Sequence, residues 1–164
     1  MSGSGTETST MRTVGIGLYW DDLRVGERFK TLNRTITEAD IVQFIGVTGM
    51  VETLFTDLSF GADHGVIRGR VVPAACTYTI IEGLLCQATM QTTGLALLEI
   101  QKKVLKPVFA GDTVHAEVEV TAVRPTSKGN RGIVTTQNNV VTQNGETVIT
   151  YRAVRMMAGR PAAG

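Results

Sequence analysis

Residues 71–90 carry one charged side chain, Glu82, among positions that are otherwise apolar, small, hydroxyl-bearing or amide. Pro73 suits the first turn of a helix, where its missing N–H would be unpaired in any case. From there to about Met90 such a helix is apolar on nearly every side, so it is stable only if other structure wraps it. The run approaches the length of a membrane span. Glu82, Gln87 and the threonines Thr77, Thr79 and Thr89 make insertion into hydrocarbon expensive, and a buried helix of a water-borne fold is expected instead.

The wrapping has to come from neighbouring segments, and the second half of the chain offers it. Val114, Ala116, Val118, Val120 and Ala122 alternate with Thr113, His115, Glu117, Glu119 and Thr121. A period of two is that of a strand with one buried face, and it puts His115 on the outward side. Residues 95–105, 131–143 and 147–157 read the same way, separated by residues 107–112, by residues 125–130 and by Asn144-Gly145, a pair that favours a tight hairpin. Four consecutive strands in an antiparallel meander are expected.

Upstream, Trp20-Asp21-Asp22-Leu23 and Val25-Gly26-Glu27 precede a short extended piece over residues 34–36. A first helix follows: Thr37 caps it with Asp40 in the capping-box position, Ile41, Phe44 and Ile45 form its apolar stripe, and residues 46–49 end it. Periodicity fails from Gly49 to Arg70, leaving a long loop with Glu52, Asp57, Asp63, His64, Arg68 and Gly69. Loops of that length in compact domains usually carry function.

One strand, a short helix, a loop, a long apolar helix and four strands, without an internal repeat, compose an α+β domain. A sheet that curls around a single helix satisfies that order, and this layout is the hotdog fold. One helix does not cover the whole sheet, so a dimer that continues the sheet across a symmetric interface is expected. The domain is placed at residues 14–158, between disordered tails at 1–13 and 159–164. The first thirteen residues have no apolar core and read neither as a signal peptide nor as a membrane span.

A chain of 164 residues, 43% of them apolar, is large enough to bury one core without disulfides or metals. Sixteen basic residues against 15 acidic ones leave a formal charge of +1, too little to gather nucleic acid or anionic lipid. On one helix Cys76 and Cys86 would point about 80° apart and lie about 15 Å apart along the axis, so they cannot bridge. With only His64 and His115 beside them they make no zinc set. Unpaired, buried thiols suit the reducing cytoplasm, and neither metal nor cofactor is expected.

Several pieces, in order, resemble a known family: Trp20 to Gly26, Thr35-Ile36-Thr37-Glu38-Ala39-Asp40, Gly69-Arg70-Val71-Val72-Pro73, the Lys-Pro-Val-x-x-Gly-Asp-Thr stretch from Lys106 to Thr113, and Gln143-Asn144-Gly145-Glu146. They resemble the MaoC-like dehydratases and (R)-specific enoyl-CoA hydratases over roughly residues 19–157. The resemblance implies a hotdog domain that holds an acyl-CoA or another acyl thioester. In that family the loop after the first helix reads Gly-Asp-x-Asn-Pro-x-His-x-Asp, and its Asp and His share the water that adds across a 2-enoyl double bond.

Here the loop reads Gly49-Met50-Val51-Glu52-Thr53-Leu54-Phe55-Thr56-Asp57. Gly49 and Asp57 keep the register, Met50 stands where the resemblance implies Asp, and Phe55 where it implies His. Neither side chain transfers a proton, and the expectation is that they close the old water site. The family also polarises the thioester carbonyl with a backbone amide at the start of the long helix, a task that needs a helix N-terminus rather than a given side chain. Residues 71–75 supply that start, with Pro73-Ala74 in place of the family's His-Gly. The substrate-binding set implied is Met50, Phe55, Gly69, Arg70, Val71, Val72 and Ala74.

Two functions from different classes follow. One is a thioester-binding protein that lacks the dyad, as a homodimer, a dimer of dimers, or the partner of a subunit that carries the dyad. The other is an active hydratase, dehydratase or thioesterase whose acid–base work has moved to Glu52, with His64 as its partner. Against the second stands the plainer view of Glu52 and His64 as exposed loop residues, and of Asp57 as a brace for the loop. Arg68, Arg70, Lys102, Lys103, Lys128 and Arg131 are candidates for the phosphates of coenzyme A.

Overall fold

The computed structural model describes residues 11–65, 67 and 69–162. Most of the expected N-terminal tail, the last two residues and the candidate phosphate ligand Arg68 lie outside the described residues. Helix α1 (Glu38–Thr48) is opened by the expected capping box, in which Thr37 accepts from the Asp40 amide and the Asp40 carboxylate accepts from the Thr37 amide. Gly49 ends it in the left-handed conformation at φ 70°. The stretch from Gly49 to Arg70, expected as an irregular loop, contains two single turns, α2 (Thr53–Thr56) and α3 (Phe60–Asp63). The long apolar helix α4 (Ala74–Leu85) runs on through a π turn, Cys86–Met90, which gives the run the extent its composition implied.

The strands are β1 (Arg28–Lys30), β2 (Arg34–Thr35), β3 (Gly94–Val104), β4 (Thr113–Pro125), β5 (Arg131–Thr142) and β6 (Thr147–Ala158). They form one antiparallel sheet in the order β1-β4-β5-β6-β3, with β2 also on β4. Two expectations are corrected here. The single extended piece before α1 is two short strands, and the four-strand meander is a three-strand one. β3 does not neighbour β4; it pairs with β6 at the opposite edge, Gly94 facing Met157 and Val104 facing Ile149. Alternation marks a residue run as a strand but does not encode which strand lies beside it, and residues 105–112 here carry the chain across the sheet to β4.

The inner face of the sheet packs on α4. Val114, Ala116, Val118 and Val120 are buried as the period of two required, but Ala122 is exposed because a bulge between Val120 and Ala122 shifts the phase. Cys76, Ile81 and Leu85 of α4 join Ile36 and Ile41 in one core with Ile149, Tyr151 and Ala153 of β6. This sheet wrapped on one helix is the hotdog fold. In the single chain the wrapping is one-sided: Thr79, Cys86, Gln87 and Ala88 stay exposed, so the Cys86 thiol is not buried as expected. After β6, Gly159 is buried, its amide donates to the Asn130 carbonyl at 2.8 Å, and Arg160 pairs with Asp22 at 2.7 Å. Among the described residues no helix is long and apolar enough to cross a membrane.

Candidate functional site

The approach to α4 is fastened to the β3–β4 connection. The Val72 amide donates to the Val108 carbonyl at 2.8 Å, the Ala110 amide donates to the Arg70 carbonyl at 3.0 Å, and Val71 bridges to Phe109. Pro73 then caps the helix, whose first intrahelical bond is the Thr77 amide to the Pro73 carbonyl at 3.2 Å. The amides of the preceding turn have no acceptor within the helix and carry the positive end of its dipole. Beside them lies an apolar cleft of about 340 Å³. Val72, Ala74 and Thr77 form one wall, Leu54 and Phe55 a second, and the cleft opens past Val104 and Leu105, both about half exposed.

Thr77 is fully buried, and its hydroxyl has no hydrogen-bond partner among the described residues. Cys76 next to it is no nucleophile: burial pushes its thiol up to about 11, with Asp40 adding to the shift.

The loop places its residues unequally. Phe55, only 8% exposed, is in the cleft wall, and Met50 is half-buried. Glu52 is exposed at the start of α2 and makes no capping bond with its side chain. His64 is exposed too; its Nδ1 lies 2.8 Å from the Phe60 carbonyl oxygen and its ring stacks on Phe60 with centroids 4.3 Å apart. No hydrogen bond or ion pair joins Glu52 to His64 among the described residues. Asp57 braces the loop, accepting from the Ser59 amide at 2.9 Å and the Ser59 hydroxyl at 2.7 Å, bonds that hold its carboxyl below the usual range.

Of the substrate-binding set, Phe55, Val71, Val72 and Ala74 share the cleft. Gly69 sits in the left-handed region at φ 97° just before it. The Arg70 guanidinium is engaged with Glu38 at 2.8 Å and with the Phe55 carbonyl, which ties α1, α2 and the α4 approach together. Lys102 lies over the Tyr78 ring, 4.4 Å from its centroid. Lys128 lies in the β4–β5 turn and Arg131 opens β5, at the end of β4 away from Val108, so these two candidate phosphate ligands lie apart from Arg70. Sequence reasoning missed Thr77, Leu54 and Lys106 of the cleft. Lys106 could have been found, since it begins the Lys-Pro-Val stretch that carried the resemblance; Thr77 gave no signal.

Residues 22–144 match the MaoC like domain family. The chain belongs to the MaoC-like dehydratase family. It is 30% identical over 132 residues to an (R)-specific enoyl-CoA hydratase of Aeromonas caviae, covering 80% of this chain and 93% of the relative. A MaoC-like dehydratase from Rhodospirillum rubrum superimposes with a TM-score of 0.75 at 28% identity, covering 88% of this chain and 99% of the other. The solved (R)-hydratase of A. caviae gives a TM-score of 0.67 at 28% identity, with 85% and 98% covered. The cleft at the leading end of α4 is therefore a feature of a MaoC-like hotdog domain.

Proposed function

We propose that this MaoC-like domain binds an acyl-CoA thioester in the cleft at the leading end of α4, with the carbonyl at the free amides of the first turn, and does not hydrate it through a loop dyad. The observation that carries this is Phe55: it is buried in the cleft wall, and at a position where the resemblance implies His it offers packing and no proton. The exposure of Glu52 and of His64 favours the binding protein over the relocated acid and base. The domain acts in the cytoplasm as a homodimer, and the half-exposed Leu95, Leu97 and Leu98 on the edge strand β3 and the uncovered side of α4 support a second subunit there. A subunit that carries the dyad is the alternative occupant.

Crotonyl-CoA tests the reading. Calorimetric binding together with an absorbance trace for hydration that stays at the buffer rate is the expected outcome. Turnover above that rate, lost in Glu52→Gln, refutes it in favour of an enzyme with a relocated base. Light scattering on the purified chain, alone and with a dyad-bearing homologue, separates the homodimer from the mixed pair.

A further inference from the structure

The cleft at the start of α4 has a counterpart at its far end. A second cleft of about 360 Å³ is lined by Glu82 and Cys86 of α4, by Leu95 and Leu97 of β3 and by Arg155 and Met156 of β6. Both draw on the long helix, β3 and β6, and the near one also on α2 and the β3–β4 connection. Along α4, Ala74, Tyr78, Glu82 and Cys86 recur every fourth residue and so share one stripe; the first lines the near cleft and the last two the far one. On β6, Ile149 lines the near cleft and Arg155 the far one, with Tyr151 between. On β3, the register sets Val104 against Ile149, Lys102 against Tyr151 and Leu97 against Arg155.

What stands midway on all three elements is a single aromatic assembly. Tyr78 meets Tyr151 edge to face at 5.3 Å between centroids, with 83° between the rings, and the Lys102 ammonium lies over the Tyr78 ring. Tyr151 is held from behind, its hydroxyl donating to Glu82 at 2.7 Å while Arg155 donates to both Glu82 oxygens at 2.6 and 2.7 Å. The far cleft thus presents a carboxylate whose charge is already matched, and apolar side chains from β3 and β6.

We infer that the Tyr78 ring is a partition that limits the length of the acyl group this domain holds, so that its ligands are short-chain thioesters; this rests on the reading of the near cleft as the acyl site. Four residues of helix separate Ala74 from Tyr78, about 6 Å of axis, which is the reach of about four to five carbons beyond a carbonyl held at the first turn. A longer chain meets the ring. Removal of the ring joins the near cleft to the far one at Glu82 and adds roughly 6 Å, the four residues from Tyr78 to Glu82.

The test is a series of saturated thioesters, which offer no double bond to hydrate, titrated calorimetrically from acetyl-CoA to dodecanoyl-CoA. For the unaltered protein the affinity rises by about fourfold per methylene up to hexanoyl and then falls. Tyr78→Phe keeps that profile, because the ring is the barrier. Tyr78→Ala, or Tyr78→Val if the alanine variant melts below the assay temperature, moves the optimum to decanoyl-CoA and binds it at least tenfold tighter than the unaltered protein does. An unchanged profile in both small variants overturns the partition, as does an unaltered protein that binds decanoyl-CoA as well as butanoyl-CoA. Free alkanoates run in parallel separate the two readings. If no thioester binds but the alkanoate optimum still lengthens in Tyr78→Ala, the thioester reading fails and the partition stands; binding in neither series overturns both.

Discussion

Arg155→Met removes one partner of the buried ion pair on which the far half of the core is organised. The Arg155 side chain is 9% exposed and that of Glu82 17%, so neither charge has ready access to water. In the variant Glu82 keeps only the Tyr151 hydroxyl at 2.7 Å, while the Thr136 hydroxyl also loses the Arg155 contact at 3.4 Å. A carboxylate stranded in this way costs about 3–5 kcal/mol, much more than the pair itself contributes over an apolar replacement. For a domain of this size that is a fall in melting temperature on the order of 6–20 °C. Replacing both partners, Glu82→Leu with Arg155→Met, removes the stranded charge and is expected within about 1 kcal/mol of the parent or above it. Urea unfolding of the four proteins of the cycle measures the coupling, which should come out at several kcal/mol. If Arg155→Met alone costs under about 1 kcal/mol, Glu82 reaches water in the folded chain, and the account of a buried, charge-matched pair is wrong.

Gly132→Ala tests the seat of the one tryptophan: a Cβ there would lie 2.3 Å from Trp20 Cδ2, so the indole must move, with a red-shifted fluorescence and a loss of about 1–3 kcal/mol by denaturant titration. Asp40→Asn weakens the capping box by about 1 kcal/mol at neutral pH. The Thr37 hydrogen bonds, then Arg34, hold the Asp40 carboxyl below 3.8 in the folded chain, so its contribution is present above that value and disappears as the pH falls through the lowered one; the variant's melting temperature should fall less steeply on acidification. At the alkaline end, burial and then the Glu82 charge push the Tyr78 phenol up to about 12. Stability that depends on its neutral form is intact below about pH 10 and is lost as the pH rises towards 12, and Tyr78→Phe should flatten that limb of a melting-temperature profile.

Local chemistry was the legible part of this chain. Thr37 and Asp40 name their own hydrogen bonds from three residues apart, and Gly49 ends the first helix where the apolar stripe stops. Non-local choices were not legible. Ala122 shares the phase of Val120 in the sequence and loses it to a bulge, and β3 reads as a neighbour of β4 although it lies on β6. The spread of the basic residues was illegible for the same reason, since Lys128 and Arg70 are equally basic on paper and sit towards opposite ends of β4. Tyr78 carried no signal at all: its position matters only through Tyr151 and Lys102, whose pairing is a property of the β3–β6 register.

That register also fixes an order of events as the protein leaves the ribosome. β3 emerges early with its leucines unpaired, and its strand partner among the described residues, β6, is made last of the strands described, so some fifty residues must follow before the hairpin-rich half can shelter it. A stop codon ahead of Thr147 would thus deprive the sheet of two strands instead of one and leave the flank of α4 bare, and such a nascent chain is the form most in need of a chaperone.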